Sequence, residues 1–297
     1  MGAVRIVLDA RNAVGEGPFW DDREGALWWV DIVGNAVLCW RPGETEARRW
    51  PVPGFPCAVI GRRGGGMLLA RAAGLDFFDP DTGSSTPFLA PEADRPANRG
   101  NEAKCDAAGR LWLGTMQSNL EADGSPREMT ARTGALYRVL PDGGFSREVD
   151  GVGLSNTLAW TDGGRSLIFG DTLANSLWKY TVGEDGRLGD RRLFSDATLP
   201  GFCDGSAIDA EGCLWNARFA GSCVVRFAPD GSVDRILDLP VTNPTSCCFG
   251  GEELRTLYVT SARFGLTAAQ LAANPREGAL LAVDAGVAGT ASERFGG

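Results

Sequence analysis

The feature of this sequence that most constrains its fold is a unit of two apolar strands that recurs six times. Each unit has an apolar strand, a polar turn with Asp, Glu or Gly, and a second strand led by an aromatic or large aliphatic residue. Equivalent positions of the six second strands, at steps of 40, 44, 56, 47 and 43 residues, are Trp28, Leu68, Trp112, Ile168, Trp215 and Tyr258. A repeat of about 40 to 50 residues is typical of the blades of a β-propeller. The sequence therefore predicts an all-β fold, a six-bladed β-propeller of four-stranded antiparallel blades, with residues 1–297 as a single domain.

The two ends of the chain both contain strand-like segments, at residues 4–9 and 279–284. We expect them to complete the last blade together, which would close the ring and remove exposed sheet edges. The one clear helical stretch covers residues 267–273, and Pro275 is expected to end it. Evenly spaced short strands also occur in β-sandwiches, so two stacked sandwiches are the alternative architecture.

The charge of the chain argues against several classes of partner. A net charge of -9 repels nucleic acid and anionic membrane surfaces, and basic residues form no run longer than a pair. No stretch approaches the ~20 apolar residues of a membrane span. The first residues reach Asp9 before an apolar core forms, which is unlike a signal peptide. We therefore expect a cytoplasmic protein, a monomer or weak homo-oligomer, that binds a small molecule.

The chain contains no histidine and eight cysteines. Without histidine, Ser-His-Asp catalysis, Cys-His catalysis and histidine ligation of metals are all excluded. The cysteines lack the CxxC spacing of zinc sites, so buried, reduced thiols are expected. Any catalysis by this chain must therefore use carboxylates, amides, Lys, Tyr, Cys or a bound metal.

Four oxygen-bearing side chains share one phase of the repeat. They precede the reference position of their own unit by 11 or 12 residues, and they are Glu16, Asn101, Asn156 and Asp204. This phase is where the innermost strand of a propeller blade begins, so the four side chains are expected to converge beside the central channel. The alternative is that Asp and Asn here only begin turns.

Two carboxylates and two carboxamides, with no imidazole available, make a site of hard oxygen ligands. Such a site suits one divalent cation: Ca²⁺, Mg²⁺ or Mn²⁺, with Zn²⁺ and Fe²⁺ as further candidates. Without a cation the two carboxylates would repel each other and one would be driven to take up a proton.

Five stretches resemble the regucalcin/gluconolactonase family of sugar lactonases, also described as senescence-marker-protein-like. They are GEGPFW at 15–20, NRGNE at 98–102 with GRLWLGTM at 109–116, SN at 155–156, CDG at 203–205, and SCCFGG at 246–251 with LYVTSAR at 257–263. The likeness covers almost the whole chain. It implies a six-bladed propeller with one divalent cation and a sugar lactone as substrate.

The resemblance also implies roles for individual residues. Metal ligands are implied at Glu16, Asn156 and Asp204. Substrate contacts are implied at Arg99 and Asn101, which moves Asn101 from the in-phase set to the substrate side of the metal.

A further substrate-binding position is Asn119, which stands where some members carry an acidic residue shortly after their Gly-Thr-Met motif. This departure bears on the preference for substrate hydroxyl groups.

The function predicted from these residues is metal-dependent hydrolysis of an aldonolactone, such as glucono-, xylono-, arabino- or galactonolactone, to the aldonic acid. Asp204 is the candidate general base as well as a ligand. One alternative is a phosphotriester or organophosphate hydrolase, because similar propellers use oxygen-ligated metals. The other is a non-enzymatic, calcium-binding regulatory propeller.

Overall fold

The structure, a computed structural model, describes residues 2–297 and contains six four-stranded antiparallel sheets. In chain order the first twelve strands are β1 Arg5–Leu8, β2 Gly15–Asp21, β3 Ala26–Asp31, β4 Ala36–Trp40, β5 Arg48–Pro51, β6 Pro56–Gly61, β7 Met67–Arg71, β8 Gly74–Asp79, β9 Ser84–Leu89, β10 Asn98–Cys105, β11 Leu111–Gln117 and β12 Gly134–Val139. The other twelve are β13 Phe145–Val152, β14 Ser155–Thr161, β15 Ser166–Asp171, β16 Ser176–Val182, β17 Leu188–Ser195, β18 Phe202–Ile208, β19 Leu214–Phe219, β20 Cys223–Phe227, β21 Val233–Asp238, β22 Pro244–Gly250, β23 Thr256–Ser261 and β24 Leu280–Asp284.

The sheets are arranged as the six blades of a propeller. Blades 1 to 5 each consist of four consecutive strands and begin with β2, β6, β10, β14 and β18, whereas blade 6 consists of β22, β23, β24 and β1. The first strand of each blade packs against the first strand of the next, and the ring closes where β22 meets β2. These six strands therefore surround a central channel. The predicted six-bladed propeller is confirmed, and the two stacked sandwiches are not formed.

The ring is closed by the two ends of the chain, as predicted. Strand β1 pairs antiparallel with β24, with Arg5 opposite Ala282 and Leu8 opposite Leu280. This pairing makes a strand from the beginning of the chain the outermost strand of blade 6.

The inner strands of the blades are buried on both faces because each blade packs between two neighbours. All six residues of β3 are buried, and the reference residues of the repeat are at most 4% exposed. This burial explains why these strands are continuously apolar rather than alternating. All eight cysteines are buried and free, which confirms the expectation of reduced thiols.

The first strand of every blade carries a β-bulge at nearly the same phase. The pairing register shifts between Glu16 and Phe19, Pro56 and Ala58, Gly100 and Glu102, Asn156 and Leu158, Cys203 and Ser206, and Pro244 and Ser246. A bulge inserts an extra residue and redirects side chains. The four in-phase residues of the sequence lie at these bulges, at the end of the channel where the first strands begin. We call this the front end, and the opposite end the back end.

Helices are a minor part of the fold. The α-helix Ala268–Ala273 begins after Thr267, whose side chain forms a capping box with Gln270, so the helix starts one residue later than predicted. Two 3₁₀ turns cover Asp162–Gly164 and Glu252–Leu254. Within residues 2–297, no helix combines the length and the apolar character that crossing a membrane requires.

The C-terminal segment, residues 285–297, ties five blades together at the back end. Its backbone forms hydrogen bonds with blades 5, 6, 2 and 3, and Arg294 donates to Asp21 of blade 1. Phe295 is fully buried and packs edge-on against Phe88, with ring centroids 5.8 Å apart. The segment therefore adds an apolar anchor to its polar contacts.

Replacing Phe295 by alanine should lower the free energy of unfolding by about 3–5 kcal/mol, the usual loss for a buried Phe. The matched control is Phe145→Ala, because Phe145 is 49% exposed; its loss should stay below about 1 kcal/mol. Urea denaturation followed by tryptophan fluorescence measures both. Equal losses for the two variants would show that the segment does not anchor the ring.

Candidate functional site

Two acidic side chains, Glu16 of blade 1 and Asp204 of blade 5, meet at the front end of the channel. Each residue is 6% exposed, and their carboxyl groups lie within hydrogen-bonding reach of each other. The bulges place them there, and the Gly17 N–H donates to Glu16 Oε2 at 2.9 Å. Gly17 has a φ of 55° and lies against Ala58 of the neighbouring strand, where a Cβ would be 3.0 Å from the Ala58 Cα. Glycine is therefore required beside this ligand position.

Asn156 of blade 4 presents its carbonyl oxygen rather than its NH₂ group on the side of Asn101. The Thr172 hydroxyl donates its one proton to Cys203 O at 2.7 Å, so its oxygen must accept from Asn156 Nδ2 at 2.8 Å. The other end of the amide, Oδ1, then accepts from Asn101 Nδ2 at 3.2 Å. These hydrogen bonds therefore orient Asn156 so that its Oδ1, the potential metal ligand, lies on the side of Asn101.

Asn101 and Arg99 both lie in β10 of blade 3, two positions apart. Asn101 Nδ2 also donates to Ser155 O at 2.9 Å, which fastens this side chain to blade 4. Arg99 donates from Nε and Nη2 to Asn119 Oδ1, at 3.1 and 2.9 Å, and from Nη1 to Gly100 O at 2.8 Å. The structure therefore brings Arg99 and Asn119 together and places Asn101 against Asn156.

Arg99 carries a positive charge with neutral partners. Burial lowers the pKa of Arg99 to about 10, so the guanidinium stays charged at neutral pH. Within residues 2–297 it forms hydrogen bonds with an amide and a backbone carbonyl, and with no carboxylate. Asn119 supplies the acceptor oxygen that an acidic residue would supply, but it brings no negative charge to Arg99, on which the nearby charge of Glu16 acts.

A third carboxylate and an ammonium group lie deeper in the channel, and the sequence reading did not assign them a role. Glu102 is 2% exposed, and its Oε1 lies 3.5 Å from Lys104 Nζ. Both residues belong to β10 and lie two positions apart, so they project from the same face of the strand. The sequence signal that could have identified this pair is the alternation of side chains along β10, which places Glu102 and Lys104 on one face.

Burial destabilises the charges of all three carboxyl groups, and neighbouring carboxylates add to this effect for Glu16 and Asp204. Burial raises the pKa of Glu16 to about 8, and the charge of Glu102 adds to this effect. Burial also raises the pKa of Asp204 well above its usual range, with further contributions from Glu16 and Glu102. Burial raises the pKa of Glu102 as well, although Lys104 opposes the rise.

The residues present fit a divalent cation. Two buried carboxyl groups that repel each other and one oriented amide oxygen are hard oxygen donors of the kind Ca²⁺, Mg²⁺ and Mn²⁺ prefer. A cation would offset the repulsion that raises the pKa values of Glu16 and Asp204.

A buried hydroxyl network supports the backbone of Asp204. Thr157 has a φ of 52°, which is strained for a β-branched residue. Its Oγ1 donates to Asp204 O and lies 2.9 Å from Ser206 Oγ. Asn216 Nδ2 donates to the same carbonyl at 2.9 Å and to Thr157 Oγ1 at 3.1 Å. These contacts between blades 4 and 5 offset the strain and were not predicted from the sequence.

A second group of potential ligands lies outside this site. Asp209, Glu211 and Cys213 have ligand atoms within 4.8 Å of one another. Arg226 donates to Asp209 Oδ2 at 2.8 Å, to Glu211 Oε2 at 2.5 Å and to Asp234 Oδ2 at 2.9 Å. The arginine therefore already occupies an oxygen of both carboxylates in this group, which leaves the front-end residues as the better candidates.

The residues at the front end lie within a part of the chain that matches a known protein family. Residues 14–263 match the family described as the SMP-30/gluconolactonase/LRE-like region. The chain belongs to this family. The match includes Glu16, Asn156 and Asp204, and also Arg99 and Asn119, which the sequence predicts on the substrate side.

Members of this family align with nearly the whole chain. Regucalcin of Danio rerio is 34% identical over 278 residues, covering 93% of this chain and 92% of the relative. L-arabinolactonase of Azospirillum brasilense is 33% identical over 300 residues, covering 100% of this chain and 96% of the relative. The solved structure of regucalcin from Agrobacterium tumefaciens, a calcium-binding protein, has a TM-score of 0.91 at 28% identity and covers 99% of this chain and 97% of that chain. The resemblance to the regucalcin/gluconolactonase family is confirmed.

The raised pKa of Glu16 predicts how pH affects the protein after treatment with a chelator. Glu16 ionises near its ordinary pKa of 4.5 in the unfolded chain, but at about 8 in the fold. Between these values the folded state binds more protons, so the free energy of unfolding should fall as pH rises from about 5 to about 8. Glu16→Gln should flatten this slope.

Urea denaturation at several pH values tests this expectation. Glu46→Gln is the matched control, since Glu46 is exposed, and it should keep the wild-type slope. A Glu16→Gln variant with the wild-type slope would show that Glu16 is not protonated in the fold.

Proposed function

We propose that this protein hydrolyses a sugar lactone to the open-chain aldonic acid and that the reaction depends on one divalent cation, among Ca²⁺, Zn²⁺, Mn²⁺, Mg²⁺ and Fe²⁺. The observation that carries the proposal is the convergence of Glu16, Asp204 and the oriented Asn156 at one end of the channel. In a chain without histidine, these residues are the strongest candidates for hydrolytic chemistry. Glu16, Asn156 and Asp204 would hold the cation, which when bound supplies Lewis-acid polarisation of the lactone carbonyl.

The substrate side of the site is formed by Arg99, Asn101 and Asn119. Their hydrogen bonds to each other and to blade 4 hold them in place before substrate binds, which lowers the entropy lost on binding. In the part of the chain that the structure describes, Arg99 has no carboxylate as a hydrogen-bond partner because Asn119 is neutral. A positive charge at this position would favour the negative charge that develops on oxygen during ester hydrolysis, and also the carboxylate of the product.

Asp204 is the candidate general base. Ring opening requires water to lose a proton as it attacks the carbonyl carbon, and a carboxylate oxygen of Asp204 would accept that proton. A neighbouring cation favours the ionised form of Asp204, which opposes the effect of burial. The Thr157 and Asn216 hydrogen bonds to Asp204 O hold the backbone of this residue in position.

The relatives support this function and identify its main rival. L-arabinolactonase, which matches the whole chain, is named for a sugar lactone. The regucalcin structure is described as that of a calcium-binding protein, so a calcium-binding regulator without turnover is the second candidate. We also propose that the protein acts in the cytoplasm as one domain, because eight buried, free thiols suit a reducing compartment.

Removing one ligand should abolish the reaction while the protein stays folded. Glu16→Gln and Asp204→Ala are expected to lower kcat/KM by at least about a hundredfold, the scale of losing one charge-stabilising group. Glu46→Gln serves again as the control with unchanged activity. Acid release from glucono-, xylono-, arabino- and galactonolactone, with each candidate metal and after chelation, measures the effect.

The outcomes of this assay separate the candidates. Full activity of chelated protein would contradict metal dependence. Tight calcium binding with no acid release from any lactone would favour the regulator, and hydrolysis of a phosphotriester alone would favour a phosphotriesterase.

The contact between Arg99 and Asn119 gives a separate prediction about the substrate side. Asn119→Ala removes the acceptor of two charge-assisted hydrogen bonds and should lower kcat/KM about tenfold or more. Asn119→Asp keeps the acceptor but neutralises Arg99, so it should weaken inhibition by the anionic product. Initial rates with added aldonate measure both effects.

The metal dissociation constant of Asn119→Ala should equal that of the wild type; a large change would place Asn119 among the metal ligands instead.

A further inference from the structure

Glu102 and Lys104 form an ion pair inside the channel, behind the candidate metal ligands. Oε1 of Glu102 is buried and accepts no hydrogen bond from residues 2–297, although Lys104 Nζ lies 3.5 Å away. Glu102 directly follows Asn101, whose side chain contacts the proposed ligand Asn156, and Lys104 donates to Ser206 O, two residues after Asp204. The pair is therefore close enough to influence any cation that those two ligands hold.

Lys104 reaches across the channel. It starts from blade 3, and its ammonium group donates to Ser206 O of blade 5, with blade 4 between the two. Lys104 also lines a cavity of about 430 Å³ in the back half of the channel. Its side chain thus lies between the candidate metal site and this cavity, and its charge is held in place by two polar partners.

Lys104 supplies the charge that balances the acidic residues of the channel and a bound divalent cation. Glu16, Glu102 and Asp204 supply three negative charges in their ionised forms, and a divalent cation supplies two positive charges. Lys104 supplies the third. The charge of Arg99 also acts on Glu16, but its guanidinium is hydrogen-bonded to Asn119 and to Gly100 O rather than to a carboxylate.

We infer that Lys104 is a built-in counter-cation and that the Glu102–Lys104 pair sets the affinity of the site for its divalent metal. The inference rests on the metal site of the proposed function. Glu102 draws the metal in, and Lys104 limits that attraction so that the metal-loaded channel remains neutral. Both are positioning residues, since neither is a ligand in the proposed site.

A counter-cation role and a merely structural role predict different changes in metal affinity. A structural ion pair would lose stability when either partner is replaced, and metal binding would weaken in both variants. A counter-cation role predicts opposite effects. Lys104→Met leaves one more negative charge near the metal, whereas Glu102→Gln leaves one more positive charge.

The test is the dissociation constant for Ca²⁺ and Mn²⁺ by isothermal titration calorimetry on the purified full chain. Lys104→Met should bind each metal at least about tenfold more tightly, and Glu102→Gln at least about tenfold more weakly, because a unit charge acts strongly on a divalent ion at this burial. The double variant, Glu102→Gln with Lys104→Met, should return to within about threefold of the wild type. It has no unpaired charge, so it is the variant expected to fold best.

Lys179→Met is the matched control. Lys179 is also buried in an ion pair, with Asp162 Oδ2 2.9 Å from its Nζ, but it belongs to the third strand of blade 4. Its replacement should leave the metal dissociation constants unchanged. Shifts of the same sign in both single channel variants, a tenfold change in the double variant, or an equal shift in Lys179→Met would each overturn the inference.

The result also separates this inference from the proposed function. If the wild type binds no divalent cation, the metal site itself fails and the inference fails with it. If the wild type binds metal and loses lactone hydrolysis on chelation, but the channel variants bind as the wild type does, only the role of Lys104 and Glu102 is wrong.

Discussion

The pairing of Arg5–Leu8 with Leu280–Asp284 is the interaction on which the rest of the structure depends. Each first strand packs against the first strands of the two adjacent blades, so the channel is closed only if blade 6 joins blade 1. Glu16 belongs to blade 1 and Asp204 to blade 5, with blade 6 between them. Their approach is therefore a product of ring closure. The C-terminal segment ties the same ring at the back end, where it connects five blades.

A closed ring can hold charges that a looser structure would expose to water. Three carboxyl groups are buried in the channel although burial raises the pKa of each, and repulsion raises the pKa values of Glu16 and Asp204 further. Thr157 holds a strained backbone conformation beside them. Unfavourable features of this kind persist where the surrounding packing over-determines them, and they are typical of functional sites. The apolar blades supply that packing here.

The two sides of the candidate site differ in their electrostatics. The proposed ligands include two acidic residues that a bound cation would stabilise in their ionised forms. Arg99, in contrast, is positively charged and donates hydrogen bonds to the neutral Asn119. Asn101 lies between them and contacts Asn156. A lactone bound at this boundary would have its carbonyl near the cation and its hydroxyl groups near Arg99 and Asn119. The residue at position 119 then affects both the charge of the substrate side and the groups it recognises.

Many elements were predictable from the sequence because their signals are local. The spacing of Trp28, Trp112 and Trp215 reports the repeat, since each blade needs the same buried residue at the same place. The common position of Glu16 and Asp204 within the repeat indicates where the first strand of each blade begins. Glu102 and Lys104 were not found, because acidic and basic residues two positions apart are common on exposed strands, and only burial distinguishes this pair.

By itself, the sequence determined the number of blades, the sharing of the last blade between the two ends and the set of oxygen-bearing residues at one phase, because these follow from periodicity along the chain. Only the tertiary structure decided which end of the Asn156 amide faces Asn101, how Lys104 reaches from blade 3 to blade 5, and that Arg99 has neutral hydrogen-bond partners. The physical reason is that these features depend on hydrogen bonds and charges between residues far apart in the chain, which come together only when the ring closes.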